Sequence, residues 1–556
     1  MNLKKEFEEK ILAYALDNAL SHDGKAVPGA VLSHLFREGL QKEQIKEIMP
    51  LIHEAIKKIN ALDLEQQKKK LASSSIDLKK FEQQERHLYD LPNISKKMVF
   101  RLAPFPSGDL HLGNAKTYML NALYAEKYKG KILLVIDDTI GSEEKAIVEE
   151  AYKLIPESFQ WLGIKYKKPI IYKSDRLAIY YEYAEKIIEL GKAYVCTCQS
   201  EILRKNRAEG KGCACRNLPK EEQKKRWKQM FSWPEGKAAL RIKTSMQDPN
   251  PAFRDRVLFR ISEREHPRVG KKYRVWPMLE FSWAIDDHLL GITHIIRGND
   301  LMIETEMERF IWNIFGWPDK TVVHGGFLTL EGIKLSKSKA QHEVKSGEYT
   351  GWDDPRTWSM HALRRRGFKP EALRQFIEEI GLNQTDITVP IDNFYAINRK
   401  LIDKDAARYS FVVNPVKLDI HIMPNIKEVK VKIHPEKEQL RTVEIGKELY
   451  IAKEDHEKNQ EQEVRLLHLF NIELGKEDMV TSLENKDIPK INWVSDPVKT
   501  KVLMDTGEWV EGYAEKAIEK LKPWAIIQFE RNFFARFDRK IKVGKEHVYE
   551  FWFSHR

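Results

Sequence analysis

The sequence predicts a multidomain α/β + β chain. It has a helical N-terminal extension, a parallel nucleotide-binding sheet split by an insertion, a short helical region, and a C-terminal antiparallel β-barrel region. Three observations predict it. MVFRLAPF and KILLVIDD are short apolar runs ending in polar residues, and between them AKTYMLNALYAEKY has helical spacing. That is a β-α-β unit with a parallel sheet, whose strand ends carry ligands. Two further runs of this kind, LLGITHIIRGND and KTVVHGGFLTL, return only after a Cys- and Lys-rich block from Cys196 to Lys243, so the sheet is interrupted. After Tyr395 the period changes to two. KLDIHI, EVKVKIH, TVEIGKELYIA, EVRLLHL and KVLMD alternate apolar and polar between turn signals, as one or two antiparallel barrels would.

The N-terminal residues 1–64 read as helices, with Phe7, Ile11, Leu12, Ala15, Leu16 and Leu20 at helical spacing. The turn-rich HDGKAVPGAV interrupts them, and EQQKKKLASSS (Glu65 to Ser75) reads as a polar linker. The 556-residue chain carries 94 Lys+Arg against 83 Asp+Glu, a net charge of +11 that attracts polyanions. No apolar run approaches the ~20 residues of a membrane span, and MNLKKEFEEKILAYAL lacks the apolar core of a signal peptide. Four cysteines in this length make no disulfide framework. The expectation is a cytoplasmic protein with no membrane partner.

Two segments promise phosphate chemistry. In RLAPFPSGDLHLGNAK, Pro106, Ser107 and Gly108 form a turn ahead of His111, Gly113 and Asn114 at a helix start. Backbone N–H groups at a helix N-terminus make an anion site, with His111 and Asn114 as donors. Taken alone, such a loop is equally a tight turn whose histidine caps the helix. In GIKLSKSKA, Lys334 and Lys337 flank Ser336 and Ser338 after an apolar strand. Lysines there can neutralise a triphosphate and a leaving pyrophosphate; alone, the segment is equally a solvated surface loop. A third cluster is Cys196-Thr-Cys198 with Cys213-Ala-Cys215. Two Cys-x-Cys clips on a short loop suit tetrahedral Zn²⁺, and reduced thiols without metal are the alternative. Around it Arg204, Lys205, Arg207, Lys211 and Arg216 suit a phosphate-facing surface or a merely solvated one.

Taken in order, His111-Leu112-Gly113-Asn114 and Lys334-Leu335-Ser336-Lys337-Ser338 resemble the paired HIGH and KMSKS signatures of class I aminoacyl-tRNA synthetases. The segments YKSDRLAIYYEYAEKIIELGKAYVC, ALRIKTSMQDPNPAFRD, DDHLLGITHIIRGND, TGWDDPRTWSMHALRRRG and DNFYAINRKLID are similar to glutamyl-tRNA synthetases of the archaeal type. The resemblance implies an N-terminal helical extension with linker over 1–97 and a Rossmann-like catalytic domain over 98–345. That domain would be split by an acceptor-binding insertion at about 191–284, with a zinc module at 196–215. A helical stem-contact region over 346–395 and a β-barrel anticodon-binding region over 396–556 would follow.

It also implies the reaction: ATP with Mg²⁺ activates L-glutamate to glutamyl-adenylate, and the terminal ribose 2′-OH of tRNA(Glu) takes the glutamyl group, with no DNA partner. His111, Asn114, Lys334 and Lys337 would be catalytic. Pro106, Ser107, Gly108, Gly113, Ser336 and Ser338 would join them in holding ATP. Arg101 would contact an amino-acid carboxylate, Asp137 the α-ammonium group, and Arg297 the side-chain carboxylate. A guanidinium fork fits a carboxylate bidentately, and an arginine left unpaired by glutamine would penalise that substrate. Arg364, Arg365, Arg366, Arg399 and Lys400, with Trp358 and Tyr395, lie where the family's helices and barrel meet the tRNA.

The chain departs from the family pattern at Phe105, Val135, Ile140-Gly141 and Leu279, all near the expected pocket. These changes raise two alternatives: a relaxed enzyme that also charges tRNA(Gln), and a catalytically altered tRNA-binding paralogue.

Overall fold

The computed structural model describes residues 3–21, 24–38, 40, 44–73, 88–142, 146–333 and 337–556. It separates into two compact units, Met1–His87 and Leu88–Arg556.

The first unit contains four described helices: α1 (Leu3–Ser21), α2 (Pro28–Arg37), α3 (Ile45–Asn60) and α4 (Leu64–Ala72). Their inward stripe includes Phe7, Ile11, Leu35, Ile48, Ile52 and Ile59. Helix α4 corrects the expected linker at 65–75. Asp63 and Gln66 form a reciprocal capping box at its start, and Glu, Gln, Lys, Leu and Ala are good helix formers. Buried Gln67 then donates to the carbonyls of Gly24, Ile59 and Leu62, tying α4 to the last turn of α3 and to the turns that follow α1 and α3. Leu91, within the expected extension and linker over 1–97, is buried in the core of the second unit.

In the second unit β1 (Val99–Leu102), α5 (Leu112–Lys127), β2 (Lys131–Ile136), α6 (Ala151–Trp161) and β3 (Lys167–Tyr172) build a parallel sheet with β2 in its middle. Alternate residues feed opposite faces. Phe100, Leu102, Leu134 and Ile136 join Met119 and Leu123 of α5 in one core, whereas Val99 and Leu133 pack on the other. A sheet covered on both faces explains the nearly continuous apolar run in KILLVIDD.

The chain then leaves through α7 (Leu177–Glu189) into a meander: β4 (Ala193–Cys196), α8 (Ser200–Ala208), α9 (Lys220–Met230), β5 (Ala239–Ile242), β6 (Val257–Ile261) and β7 (Val275–Pro277). It returns through α10 (Leu279–Leu289) to β8 (His294–Gly298), α11 (Met302–Phe315) and β9 (Thr321–Gly325), the last parallel to β8. Thr293 N donates to Val99 O at 3.0 Å, setting β8 beside β1. Two parallel sets thus lie side by side, β3-β2-β1 and β8-β9, with β8 next to β1 and the insertion entering between β3 and β8. The expected insertion end at 284 falls inside α10, whose Phe281 and Ile285 belong to the core.

Next come β10 (Leu328–Leu330), α12 (Lys337–Ser346), α13 (Met360–Arg365), α14 (Pro370–Ile380), β11 (Ile387–Val389) and α15 (Ile391–Ile402). The expected boundaries at 345 and 395 fall within α12 and α15.

The C-terminal region holds a seven-stranded sheet in the order Ala407–Tyr409, Ile526–Phe529, Phe533–Val543, Glu546–His555, Val498–Leu503, Trp509–Ala514, Phe411–Val413. Its two end strands are separated in sequence by Ser410 alone, so the sheet curls nearly closed around Phe411, Val502, Phe529 and Phe551. It is mixed rather than antiparallel, which corrects the expectation. Ala407–Tyr409 runs parallel to Ile526–Phe529, and Val498–Leu503 parallel to Glu546–His555. Period-two alternation marks a half-buried strand but carries no information about its neighbour's direction. Between these strands, residues 415–495 form smaller sheets around Leu449, Ile451, Val464, Phe470 and Trp493. In KLDIHI only Lys417 is in a strand; Leu418 is buried in that core, but Ile422 is 84% exposed.

Candidate active site

The site begins where β1 ends. Asp137 N, just past β2, donates to Pro104 O at 3.0 Å, fastening the loop after β1 to the end of β2. Gly108 has φ +135°, and a Cβ there would overlap the Trp352 ring, so both conformation and packing require glycine. The loop is pinned again where Leu112 N donates to Trp358 O and Met360 N to Leu110 O. His111 is the N-cap of α5, its Nδ1 accepting from Gly113 N at 3.1 Å. This leaves the start of α5 aimed into a cavity of about 980 Å³.

Ser107, His111, Gly113, Asn114, Arg101, Asp137 and Arg297 all line that cavity, whereas Pro106 and Gly108 do not. Pro106 instead accepts from Val148 N, and Gly108 packs on Trp352. Lys334 and Ser336 lie outside the described residues, and so do the side chains of Lys337 and Ser338; the backbone of Lys337 opens α12.

Arg101, Asp137 and Arg297 are each braced by a partner. Arg101 holds Asp287 through Nε at 2.5 Å and Nη2 at 3.1 Å, and its guanidinium lies 3.6 Å from the Trp283 ring centre. Asp137 accepts from Trp283 Nε1 at 2.9 Å and pairs with Lys173 at 3.2 Å. Lys173 is fully buried over Trp283, and desolvation draws its ammonium below the ordinary value. Arg297 is not the bare cation that the sequence argument assumed. Its Nη1 and Nη2 meet Glu308 at 2.9 and 2.6 Å, and Nη2 also meets Thr305 at 2.5 Å. A buried charge needs such a partner. Burial opposes its ionisation, yet Glu308 more than offsets this and holds the guanidinium above its ordinary value.

What remains unmet is informative. Arg297 Nε, Asn114 Oδ1, Asn121 Oδ1 and Glu304 Oε2 are buried without a hydrogen-bond partner, and all four residues line this cavity. Buried polar atoms are nearly always satisfied, so this concentration marks groups that a polar ligand would satisfy.

Sequence reasoning missed Trp283, Asp287, Lys173 and Glu308. A signal was present for two of them: Trp283 and Asp287 stand one helical turn apart on α10, an i, i+4 pair on one face. Of the departures from the family pattern, Phe105 and Leu279 line the cavity, while Val135 is buried in β2 and does not. At Gly141 a Cβ would come within 2.8 Å of Pro277 O, so the close approach of β7 fixes glycine there.

The four cysteines of the insertion converge. All four sulfurs lie within 4.8 Å of one another, with Cys196–Cys213 at 3.6 Å and Cys198–Cys215 at 3.8 Å. A tetrahedron with ~2.3 Å Zn–S bonds has edges of about 3.8 Å, so the donor set fits. Burial works against ionising Cys215, but donors from Thr197 and the Arg226 guanidinium outweigh it and hold the thiol below its ordinary value.

The basic residues divide. Arg216 is tied to Asp255, Arg207 to Pro251 O and Lys211 to Glu209, whereas Arg204 and Lys205 are exposed. Arg365 bridges Asp353 and Asp538, and Arg366 is buried against the carbonyls of Phe553 and Ser554. Arg399 is exposed and donates to Arg556 O, while Arg364 and Lys400 are also exposed. Trp358 is buried beneath Arg366, and Tyr395 stacks on His555, so neither ring is a free platform. No described helix is long and apolar enough to cross a membrane.

Residues 97–404 match the catalytic domain of the tRNA synthetases class I (E and Q), and residues 406–492 match the anti-codon binding domain of the same group. A glutamate–tRNA ligase from Methanocaldococcus jannaschii is 42% identical over 97% of this chain and 98% of its own length. One from Pyrococcus furiosus is 41% identical over 96% of this chain and 98% of its own. A solved glutamate–tRNA synthetase from Elizabethkingia anophelis aligns at 22% identity and a TM-score of 0.41, covering 55% of this chain and 70% of that one. With the signature loop, the braced arginines and both domain matches in place, the chain belongs to the class I tRNA synthetases of the E and Q group.

Proposed function

We propose that this chain is a glutamate–tRNA ligase that works in the cytoplasm. The observation that carries the reading is the full-length similarity to glutamate–tRNA ligases in a chain whose signature loop and two buried arginines share one cavity. Nothing in the domain matches or the relatives favours a glutamine-charging or silent protein.

In this reading the glutamate α-carboxylate attacks the α-phosphate of ATP, the bond to the β-phosphate breaks, and pyrophosphate leaves. The 2′-OH of the tRNA then attacks the mixed anhydride and AMP departs. No side-chain nucleophile is needed; positioning and charge stabilisation supply the rate. The start of α5, His111 and Asn114 face the phosphates, and the second signature assigns Lys334, Lys337 and the adjacent serines to the same phosphates. Mg²⁺ carried on the ATP neutralises phosphate charge. Asp137 receives the α-ammonium group. Arg101 spends its Nε–H and one Nη2–H on Asp287, so both Nη1 hydrogens and the second on Nη2 are left for the amino acid. Arg297 offers Nε–H in the same way to the side-chain carboxylate.

The domain layout belongs to the same proposal. The meander between β3 and β8 receives the acceptor end, the helices α13 to α15 the stem, and the C-terminal sheets the anticodon. Cys196, Cys198, Cys213 and Cys215 would hold Zn²⁺ as a closed structural site that braces the insertion and leaves no position open for chemistry. Charging of tRNA(Glu) by the purified chain with ATP and labelled glutamate tests the reading; no charging under any tRNA supply refutes it.

A further inference from the structure

The turn Lys522-Pro523-Trp524-Ala525 closes with Ala525 N donating to Lys522 O at 3.1 Å. Proline stands second, and the third residue, Trp524, has φ +75°. This is the pattern of a type II turn, whose third position calls for glycine or asparagine. The chain puts its bulkiest side chain there instead. For a large residue, positive φ is a true outlier, and such strain persists where the surroundings impose it and function uses it. The surroundings do impose it: Trp524 N donates to Phe537 O and Phe537 N to Ala525 O, both at 2.8 Å, so the turn is stitched to the Phe533–Val543 strand.

Core packing does not account for the indole, because Trp524 is 56% exposed. The buried Arg536 guanidinium lies 4.0 Å from the ring centre, and that of Arg364 lies 5.7 Å away. Arg365, next along α13, covers Trp552 at 3.9 Å. Lys520 and Lys522 are exposed beside the turn. Only Asp353 and Asp538 answer Arg365 and Arg536, whereas among the described residues Arg364 pairs with no carboxylate. The surface is therefore an exposed aromatic face set in a cationic rim.

A planar, polyanionic partner fits it. Bases stack on aromatic rings with adjacent guanidinium groups, and phosphates meet the rim. We propose that Trp524 is a stacking platform for an unpaired nucleotide of the tRNA, with Arg364 as its phosphate-side companion. The proposal rests on the tRNA-ligase reading and adds a contact residue to it.

The test titrates transcribed tRNA(Glu) against the full-length protein and its Trp524→Gly and Trp524→Phe variants at several salt concentrations. Glycine suits the left-handed position, so Trp524→Gly should melt at or above the parent temperature and folding loss is excluded as a cause. The expected result is a roughly ten-fold or greater loss of affinity for Trp524→Gly, with an unchanged salt slope because no phosphate contact is removed. Trp524→Phe should retain most of the affinity. Binding by Trp524→Gly indistinguishable from the parent overturns the proposal while leaving the ligase reading intact. A parent that neither binds nor charges tRNA overturns that reading and the platform with it.

Discussion

Arg101 and Arg297 line the cavity, and each arrives with a carboxylate already attached. Arg101 with Asp287 and Arg297 with Glu308 are buried pairs of small net charge. In the proposed reading, discrimination between glutamate and glutamine therefore rests on the direction of the remaining N–H donors rather than on a bare positive field. Replacing Arg297 alone would strand the Glu308 charge, so the informative variant is Arg297→Gln with Glu308→Gln, which keeps shape and removes both charges. Steady-state charging by this double variant should lose about 10- to 100-fold in kcat/KM for glutamate, with the KM for tRNA unchanged. A parent-like kcat/KM would show that Arg297 does not touch the substrate. Arg101, Asp137 and Arg297 line the cavity at or just beyond strand ends, where α/β sheets bind ligands, and were named through the family resemblance. Their partners were not: Asp287 lies 186 residues from Arg101, and only packing of α10 against β1 brings them together.

Whole elements are coupled to the signature loop through Asp109, a buried carboxylate immediately before Leu110. Its Oδ1 accepts from Ser158 on α6 at 2.6 Å, and its Oδ2 from the backbone and ring of His361 on α13 at 3.1 and 2.8 Å. The other ring nitrogen of His361 faces Glu157 at 3.2 Å. Burial opposes the imidazolium, yet Asp109 and Glu157 together raise the His361 pKa above its ordinary 6.5. A group raised on folding stabilises fully below its unfolded pKa and loses that contribution as pH rises through the folded one. The difference in melting temperature between parent and His361→Gln should thus be largest under acid conditions and shrink as pH climbs above 6.5; a difference independent of pH would dissolve the ion pair. The thiol cluster gives a second element-scale expectation. Metal analysis should find one zinc per chain, lost in Cys196→Ser with Cys213→Ser, and zinc-free protein from zinc-replete cells would contradict the fit. Spacing alone made that cluster visible, since two Cys-x-Cys clips on one short stretch have few other arrangements. The helix α4 was hidden by its charge, which reads as a linker until the capping box and Gln67 are seen to hold it.

Over the whole molecule, the parallel sheet was readable from sequence because burial on both faces writes uninterrupted apolar runs. Of the seven-stranded C-terminal sheet only KVLMD was read as a strand, and its parallel pairings, which join segments far apart in the chain, left no trace in the local pattern. The excess of 94 basic over 83 acidic residues pointed to a polyanion, and the domain matches and relatives make that polyanion tRNA in the proposed reading. The central claim is that this scaffold joins glutamate, and not glutamine, to tRNA. The most direct measurement is a competition: purified chain, ATP with Mg²⁺, tRNA(Glu) and tRNA(Gln), equal glutamate and glutamine, with the amino acid on each tRNA identified by mass. The account predicts glutamate on tRNA(Glu) and no glutaminyl product. Glutamine attached in preference to glutamate, or no aminoacyl-tRNA at all, would contradict it.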